Sequence, residues 1–327
     1  MKPNYPILLL LLCWLIPLAD AANMQGIPEF IDEMVSNHQF KRDELEMLFS
    51  RVQYKPSVID AISRPATIRS WVEYRASFVN AQRIQGGLEF WRKHSSSLRR
   101  AEQQYGVPQE IIVAIIGVET IYGKNAGAYR TIDALTTLAF DYPRRAPFFR
   151  SELENYLLLA QEQQFNLLDI RSSYAGAMGI PQFMPSSYRK YAVDFNSNHK
   201  IDLLREDEDA IGSVANYMQG YGWIEKSNTL PPIAVQAKIV KKSWLGEISK
   251  PRTLQEWSAV GIEPQVNVPQ GQLARLVDYT VADGKELWLV FNNFEVITRY
   301  NNSDFYAMSV FQLAEELKAA IKVTVAN

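Results

Sequence analysis

Cysteine is all but missing from this 327-residue chain, and the only one is Cys13. It lies in a segment with the marks of a removable leader. Lys2 supplies the positive start, Ile7 to Leu18 an apolar core, and Ala19-Asp20-Ala21 a small-x-small cleavage site. Residues 1–21 are therefore expected to be a signal peptide, with an uncleaved anchor as the alternative. The apolar core is short for a bilayer span of roughly 20 residues. Trp14 follows Cys13 and no small residues lead into it, so no lipid-modified cysteine is read. Cleavage would leave no cysteine, which excludes disulfides and thiol catalysis. Export points to a bacterial periplasm or an extracellular space, and the periplasm is the expectation. An excess of charge of one sign is also missing. The formal net charge of −2 offers no electrostatic footprint for nucleic acid or anionic lipid. There is no internal repeat and no low-complexity tract. What remains is an ordinary globular composition, long enough to bury a sizeable core in two or three domains.

Residues 107–123, VPQEIIVAIIGVETIYG, are the stretch that carries most information. Val107-Pro108 reads as a helix start. Ile112, Ile115, Ile116 and Glu119 fall at offsets 0, 3, 4 and 7 and share one helical face. Glu119 thus projects from a stripe that should face the interior. Desolvation there raises a carboxyl pKa and lets the acid keep its proton near neutral pH. The plainer reading is an acid at a helix end, exposed or paired with an arginine.

Residues 24–104 read as a series of amphipathic helices, including Trp71 to Phe78 and Ile84 to Tyr105. Trp71, Tyr74, Phe78 and Trp91 are either core or a sugar-binding surface. Thr131 to Phe140 and Phe148 to Gln163 are two more helices. Between them Arg144 and Arg145 are either solvated charge or forks for a carboxylate. Residues 172–191, SSYAGAMGIPQFMPSSYRKY, form a loop both rigid and apolar, as a ligand wall requires, with Ser172, Ser173 and Gln182 as its polar groups. In DFNSNHKIDLL, Asp194, Asn196, Asn198, the Lys200 carbonyl and Asp202 occupy positions 1, 3, 5, 7 and 9 of a calcium-loop pattern. His199 replaces the glycine of that pattern and Arg205 its final acid, with Glu206 and Asp207 just beyond. A hydrogen-bonded turn is the alternative. Asp209 to Met218 reads as a helix. From residue 230 the pattern turns strand-like, at Ala234 to Val240 and Glu286 to Phe291, around a short helix at Thr253 to Val260 and a loop at Pro264 to Pro269. Helix resumes at the end, with Tyr300-Asn301 and Tyr306 at the entry to the last one.

The stretches GVETIYGKNAG, YPRRA, SYAGAMGIPQFMPSSY, DFN…DAIGSVANY and RYNNSDFYA, in that order over roughly residues 27–310, resemble the lytic murein transglycosylase B family, within the lysozyme-like superfamily. The resemblance implies a mainly α (α+β) protein. Its parts would be a helical domain over 22–104, a lysozyme-like core over 105–229 with an EF-hand-like loop at 194–206, a small mainly β insertion over 230–292, and a C-terminal segment, 293–327, returning to the core. It implies cleavage of the β-1,4 bond between N-acetylmuramic acid and N-acetylglucosamine in peptidoglycan, without water and with a 1,6-anhydro product. Glu119 would be the single acid and base. Arg144 and Arg145 would hold lactyl or peptide carboxylates, and Ser173 and Gln182 would hydrogen-bond sugar. Tyr217, Tyr300, Asn301 and Tyr306 would line the cleft. No cofactor is required, and a structural calcium ion on Asp194, Asn196, Asn198, Lys200 and Asp202 is the implied metal. Glycan strands are the expected partner, acted on by a monomer, with no nucleic acid. Two alternatives stand beside this. A hydrolysing muramidase would need a second carboxylate, for which Asp133 and Asp141 are nearest in sequence. A non-catalytic peptidoglycan-binding protein would need no buried acid.

Overall fold

A computed structural model describes residues 24–64, 69–225, 231–240, 250–269 and 271–326. The expected leader and Cys13 lie outside the described residues. The N-terminal helices are α1 (Ile27–His38), α2 (Arg42–Phe49), α3 (Pro56–Ser63), α4 (Trp71–Phe78), α5 (Ala81–Lys93) and α6 (Ser95–Tyr105). The pattern expected as one helix over 84–105 is two, because the chain breaks at His94. Next come α7 (Gln109–Thr120), β1 (Tyr129–Arg130), α8 (Thr131–Asp141), α9 (Ala146–Gln163), β2 (Arg171–Ser172), α10 (Pro185–Tyr191) and α11 (Asp207–Gly220). Then follow β3 (Ala234–Ile239), β4 (Arg252–Thr253), α12 (Leu254–Ala259), β5 (Ile262–Pro264), β6 (Leu273–Val281) and β7 (Gly284–Val290). Helices α13 (Asn292–Tyr300) and α14 (Asp304–Ala326) end the chain. The fold is mainly α, with a two-stranded and a five-stranded sheet among the described residues. No helix among the described residues is long and apolar enough to cross a membrane.

Helix α7 is the axis of the helical body. The sequence suggests one apolar stripe, yet every residue from Ile111 to Val118 is buried. A helix apolar all round belongs inside a core. Burying its isoleucines and valines stabilises the fold by roughly 1.5–3 kcal/mol each, so the end of this helix is a fixed platform. Helix α14 packs along it, with Tyr306, Ala307, Met308 and Val310 buried. The first turn of α14 is thereby brought back to α7's end, which places Tyr306 beside Glu119.

The five-stranded sheet has the order β4-β6-β7-β3-β5 and is antiparallel throughout. The sequence pattern marks only β3 and β7 of its five strands, and β4, β5 and β6 go unmarked. Side chains alternate across a strand, and β3 shows the result. Ala234 joins the main core, whereas Val235 and Ala237 join a separate small core with Trp257, Ile262 and Leu289. The sheet also packs on the helices through Tyr279, whose ring centroid lies 4.4 Å from that of Trp71. Trp71 and Trp91 are therefore core residues, 2% and 9% exposed.

Candidate active site

Glu119 stands in the last turn of α7, where the chain leaves the helix through two left-handed residues, Ile121 (φ 52) and Tyr122 (φ 59). The Thr120 hydroxyl donates to the Ile180 carbonyl at 2.8 Å and accepts from Gly123 N–H at 2.9 Å. One hydroxyl thus ties the acid-bearing turn to the loop at 172–184. Glu119 itself is largely enclosed but keeps some exposure. Tyr306 Oη donates to its Oε1 at 2.6 Å. Burial pushes the Glu119 pKa up to about 7, and the Tyr306 hydrogen bond, which favours the charged form, works against that rise. The acid can therefore exist in either state near neutrality.

Around the acid is a wall of phenols. The Tyr300 and Tyr306 rings are stacked, 6.4 Å apart and 11° from parallel, and Tyr217 lies 4.8 Å from Tyr300. Tyr217 Oη donates to the Arg299 carbonyl and Tyr300 Oη to the Pro181 carbonyl. Three of the expected cleft residues are thus brought to Glu119 and locked by their hydroxyls. Burial raises all three phenol pKa values, and the Glu119 charge adds to the rise. Tyr74 is a fourth phenol that feels Glu119. In the sequence it is one of four aromatics at helical spacing, and nothing local sets it apart from the other three. Asn301 is exposed at the end of α13.

The loop at 172–184 is rigid because it is hydrogen-bonded to itself. Met178 and Phe183 exchange N–H···O bonds of 2.8 and 3.0 Å. Ser173 Oγ accepts from the Ala175 and Ala177 amides, which leaves its O–H free to donate. Gln182 Nε2 donates to the carbonyls of Ala126 and Gly179, which leaves its Oε1 as an acceptor. Arg144 lines a cavity of about 650 Å3 with Arg64, Tyr142 and Tyr174. Arg145 instead covers the Phe148 ring at 4.2 Å.

The two carboxylates considered as partners for Glu119 are committed elsewhere. Asp133 is 1% exposed, chelated by Arg130 at 2.7 and 2.8 Å, and accepts from Gln53 N–H. Asp141 accepts from the Tyr54 hydroxyl. The Glu119 pKa answers to burial and Tyr306 alone. A carboxylate at the 5–9.5 Å of a paired glycosidase site would add its own charge.

A mainly α body whose central helix ends in a largely enclosed, phenol-capped acid, tied to a stiff apolar loop, is the arrangement of a lysozyme-like glycan-cleaving enzyme. The chain belongs to the transglycosylase SLT domain family, whose match spans residues 22–315. It is 40% identical over 311 residues to the membrane-bound lytic murein transglycosylase B of Escherichia coli (strain K12), covering 92% of this chain and 85% of the relative. The crystal structure of the soluble lytic transglycosylase SltB1 from Pseudomonas aeruginosa superposes with a TM-score of 0.84 at 46% identity, covering 91% of this chain and 99% of that one. The Escherichia coli lytic transglycosylase Slt35, solved in complex with calcium, gives 0.85 at 41% identity, with 92% and 95% covered.

Calcium bears on the loop at 194–206. Among the described residues no group of three or more His, Cys, Asp or Glu side chains converges as a metal site. The loop nevertheless keeps the expected turn, since His199 adopts φ 68 where the pattern has glycine. Asp194 accepts from the Asn198 and His199 amides. Asn196 and Asn198 both turn their amide nitrogens onto Glu206. Their oxygens accept from the backbone N–H groups of Asn198 and Lys200, which fixes each amide in that orientation. Asp194 and Glu206 are the loop's carboxylates of the kind a hard, oxygen-seeking cation takes, fewer than a tight site uses. Glu206 is the acid that sequence counting placed one position too far. Asp202, expected as a ligand, accepts with its Oδ1 from the Leu204 and Arg205 amides instead.

Removing the Tyr306 hydroxyl gives a signed expectation. In Tyr306→Phe the hydrogen bond that holds the Glu119 pKa down is gone, so that pKa rises. Activity that needs protonated Glu119 should then persist to higher pH, its basic limb moving up by about one pH unit. A pH–rate series on soluble muropeptide polymer checks this, and a limb that moves down would show that the hydroxyl does not serve the charged form.

Proposed function

We propose that the chain cleaves the β-1,4 bond between N-acetylmuramic acid and N-acetylglucosamine in peptidoglycan and leaves 1,6-anhydromuramoyl ends. Protonated Glu119 gives its proton to the bridging oxygen as the C1–O bond breaks. The substrate's N-acetyl oxygen stabilises the cationic C1. The C6 hydroxyl then attacks C1, and ionised Glu119 takes its proton, so acid and base are one residue and no water is consumed. The single observation that supports this over hydrolysis is an acid poised near neutrality with no second carboxylate acting on it among the described residues. Ser173 O–H and Gln182 Oε1 are free to bind sugar, and the Tyr217, Tyr300 and Tyr306 rings and Asn301 supply the cleft wall. Arg144 and Arg145 answer the carboxylates of the lactyl-peptide arm. The chemistry needs no cofactor.

The same reading places the enzyme in the periplasm, exported by its leader, with glycan strands as partner. It divides the chain into a helical domain over 22–104, a catalytic core over 105–229, a small β insertion over 230–292 and a returning segment over 293–327. Mass spectrometry of the soluble products from purified peptidoglycan tests the reaction. Anhydro ends are expected. Reducing muramic ends would make it a hydrolase, and no release at all would make it a binding protein.

A further inference from the structure

Arg83, on α5, is a partly buried cation outside the cleft residues discussed so far, and burial holds its pKa below the usual arginine range. Its Nε donates to the Gly117 carbonyl at 3.0 Å and its Nη1 to the Ser77 carbonyl at 2.6 Å. Neither partner is a carboxylate. Both carbonyls lie in the last turn of a helix, Ser77 in α4 and Gly117 in α7. Each carbonyl also takes one other donor, Ile121 N–H on Gly117 and Asn80 Nδ2 on Ser77, both at 3.2 Å, and the helix dipole makes both oxygens partly negative, so each has a second lone pair that suits a cation. One planar guanidinium, stacked 5.1 Å from the Phe78 ring, therefore joins two helix C-termini.

The backbone of the same residue makes a second hold. Tyr122 Oη donates to the Arg83 carbonyl at 2.8 Å. Tyr122 sits so close under the helices that a Cβ on Gly117 would lie 2.4 Å from its hydroxyl, and one on Gly87 2.5 Å. Arg83 thus grips the acid-bearing turn two residues before Glu119 and three residues after it. Ile121, between those holds, and Tyr122, at the second, are both left-handed. That conformation is costly for a β-branched residue and persists only where its surroundings enforce it.

We propose that Arg83 is a positioning residue for Glu119: it fastens the strained turn at the end of α7 to the α4–α5 pair and so fixes where the acid points. The inference rests on Glu119 being the acid. Lysine at this position keeps the charge but offers no fork for two carbonyls, and glutamine keeps neither charge nor fork. A proton donor displaced by about 1 Å loses about 100-fold in rate.

The test compares wild type, Arg83→Lys, Arg83→Gln and Glu119→Gln on purified peptidoglycan. Circular dichroism gives the folded fraction, and calorimetric titration with a GlcNAc tetramer counts competent sites. Rates of chain-end release are then expressed per competent site against substrate concentration and pH. The expected result is a kcat per site lowered about 10-fold in Arg83→Lys and about 100-fold in Arg83→Gln, with KM within about twofold of wild type. The basic limb of the kcat profile should move from about 7 toward the ordinary carboxylate range as the acid loosens into water. Tyr74, Tyr217, Tyr300 and Tyr306, which face Glu119, are phenols with raised pKa values and add no limb there. Two results overturn the proposal: wild-type kcat per site in both variants, or losses that only follow the number of sites. If wild type releases no anhydro ends, the reading of the reaction fails instead, and the per-site rates of the ends it does release still decide the case of Arg83.

Discussion

Glu119→Gln should abolish anhydro-muropeptide release and, in the same protein, raise stability above neutral pH. The first effect follows from the proton. Glutamine keeps the shape and can still accept from Tyr306, but it has nothing to give the leaving oxygen, and general acid–base catalysis accounts for about 10²–10⁴ in rate. A fall of at least about 10³ is expected, since here one group serves both steps. The second effect follows from linkage. The folded-state pKa of Glu119 is pushed up to about 7, above that of an unfolded carboxyl. Its contribution is therefore full below about pH 4.5 and lost as pH rises through 7. Ionised Glu119 weighs on the folded enzyme at neutral and alkaline pH, and the neutral amide does not. Relative to wild type the variant should be unchanged near pH 4 and gain at most about 3 kcal/mol by pH 8. Urea titrations at the two pH values check this. Equal stability differences at both would mean that Glu119 is not desolvated, whatever its kinetics.

Glu119 was legible because its signal is local: an acid in register with isoleucines at helical spacing. The 172–184 loop was legible for the same reason, since glycines and prolines amid apolar residues announce rigid backbone. What escaped depends on partners far along the chain. Strand β6 carries Arg275 and Asp278 within LARLVDYTV, which breaks an alternating pattern. Arg275 is tolerated because Asp304 and Glu295 bind it at 2.7–2.9 Å, and neither lies near it in sequence. Strand β5 ends in Pro264 and among the described residues pairs only with β3, at the sheet edge where proline is tolerated. The break at His94 has no glycine or proline to mark it. Arg83 could not be read at all, because its side chain's partners are backbone carbonyls, and a carbonyl looks the same at every position.

The loop that holds Ser173 also rests on a glycine whose role is spatial. Gly127 adopts φ +106, and a Cβ there would lie 2.1 Å from the Ser172 carbonyl carbon and 2.5 Å from Ser173 N. Those atoms are backbone, in the strand pair that matches Tyr129 with Ser172, so no side chain can swing aside. Gly222 also has a positive φ, +89, but nothing lies within 4 Å of its Cβ position. The pair separates conformational strain from collision. Gly222→Ala should cost about 1 kcal/mol, the penalty of a left-handed alanine. Gly127→Ala adds a clash that only a shift of the Ser172–Ser173 peptide relieves, and should cost about 3–5 kcal/mol in thermal or urea unfolding. Whatever Gly127→Ala protein still folds should also be slow, because that shift moves the Ser173 hydroxyl by a large fraction of a hydrogen-bond length. Equal destabilisation of the two variants would mean that the strand pair yields freely at Ser172. The wall facing Glu119 would then not be the rigid surface on which an enzyme with a single catalytic group depends.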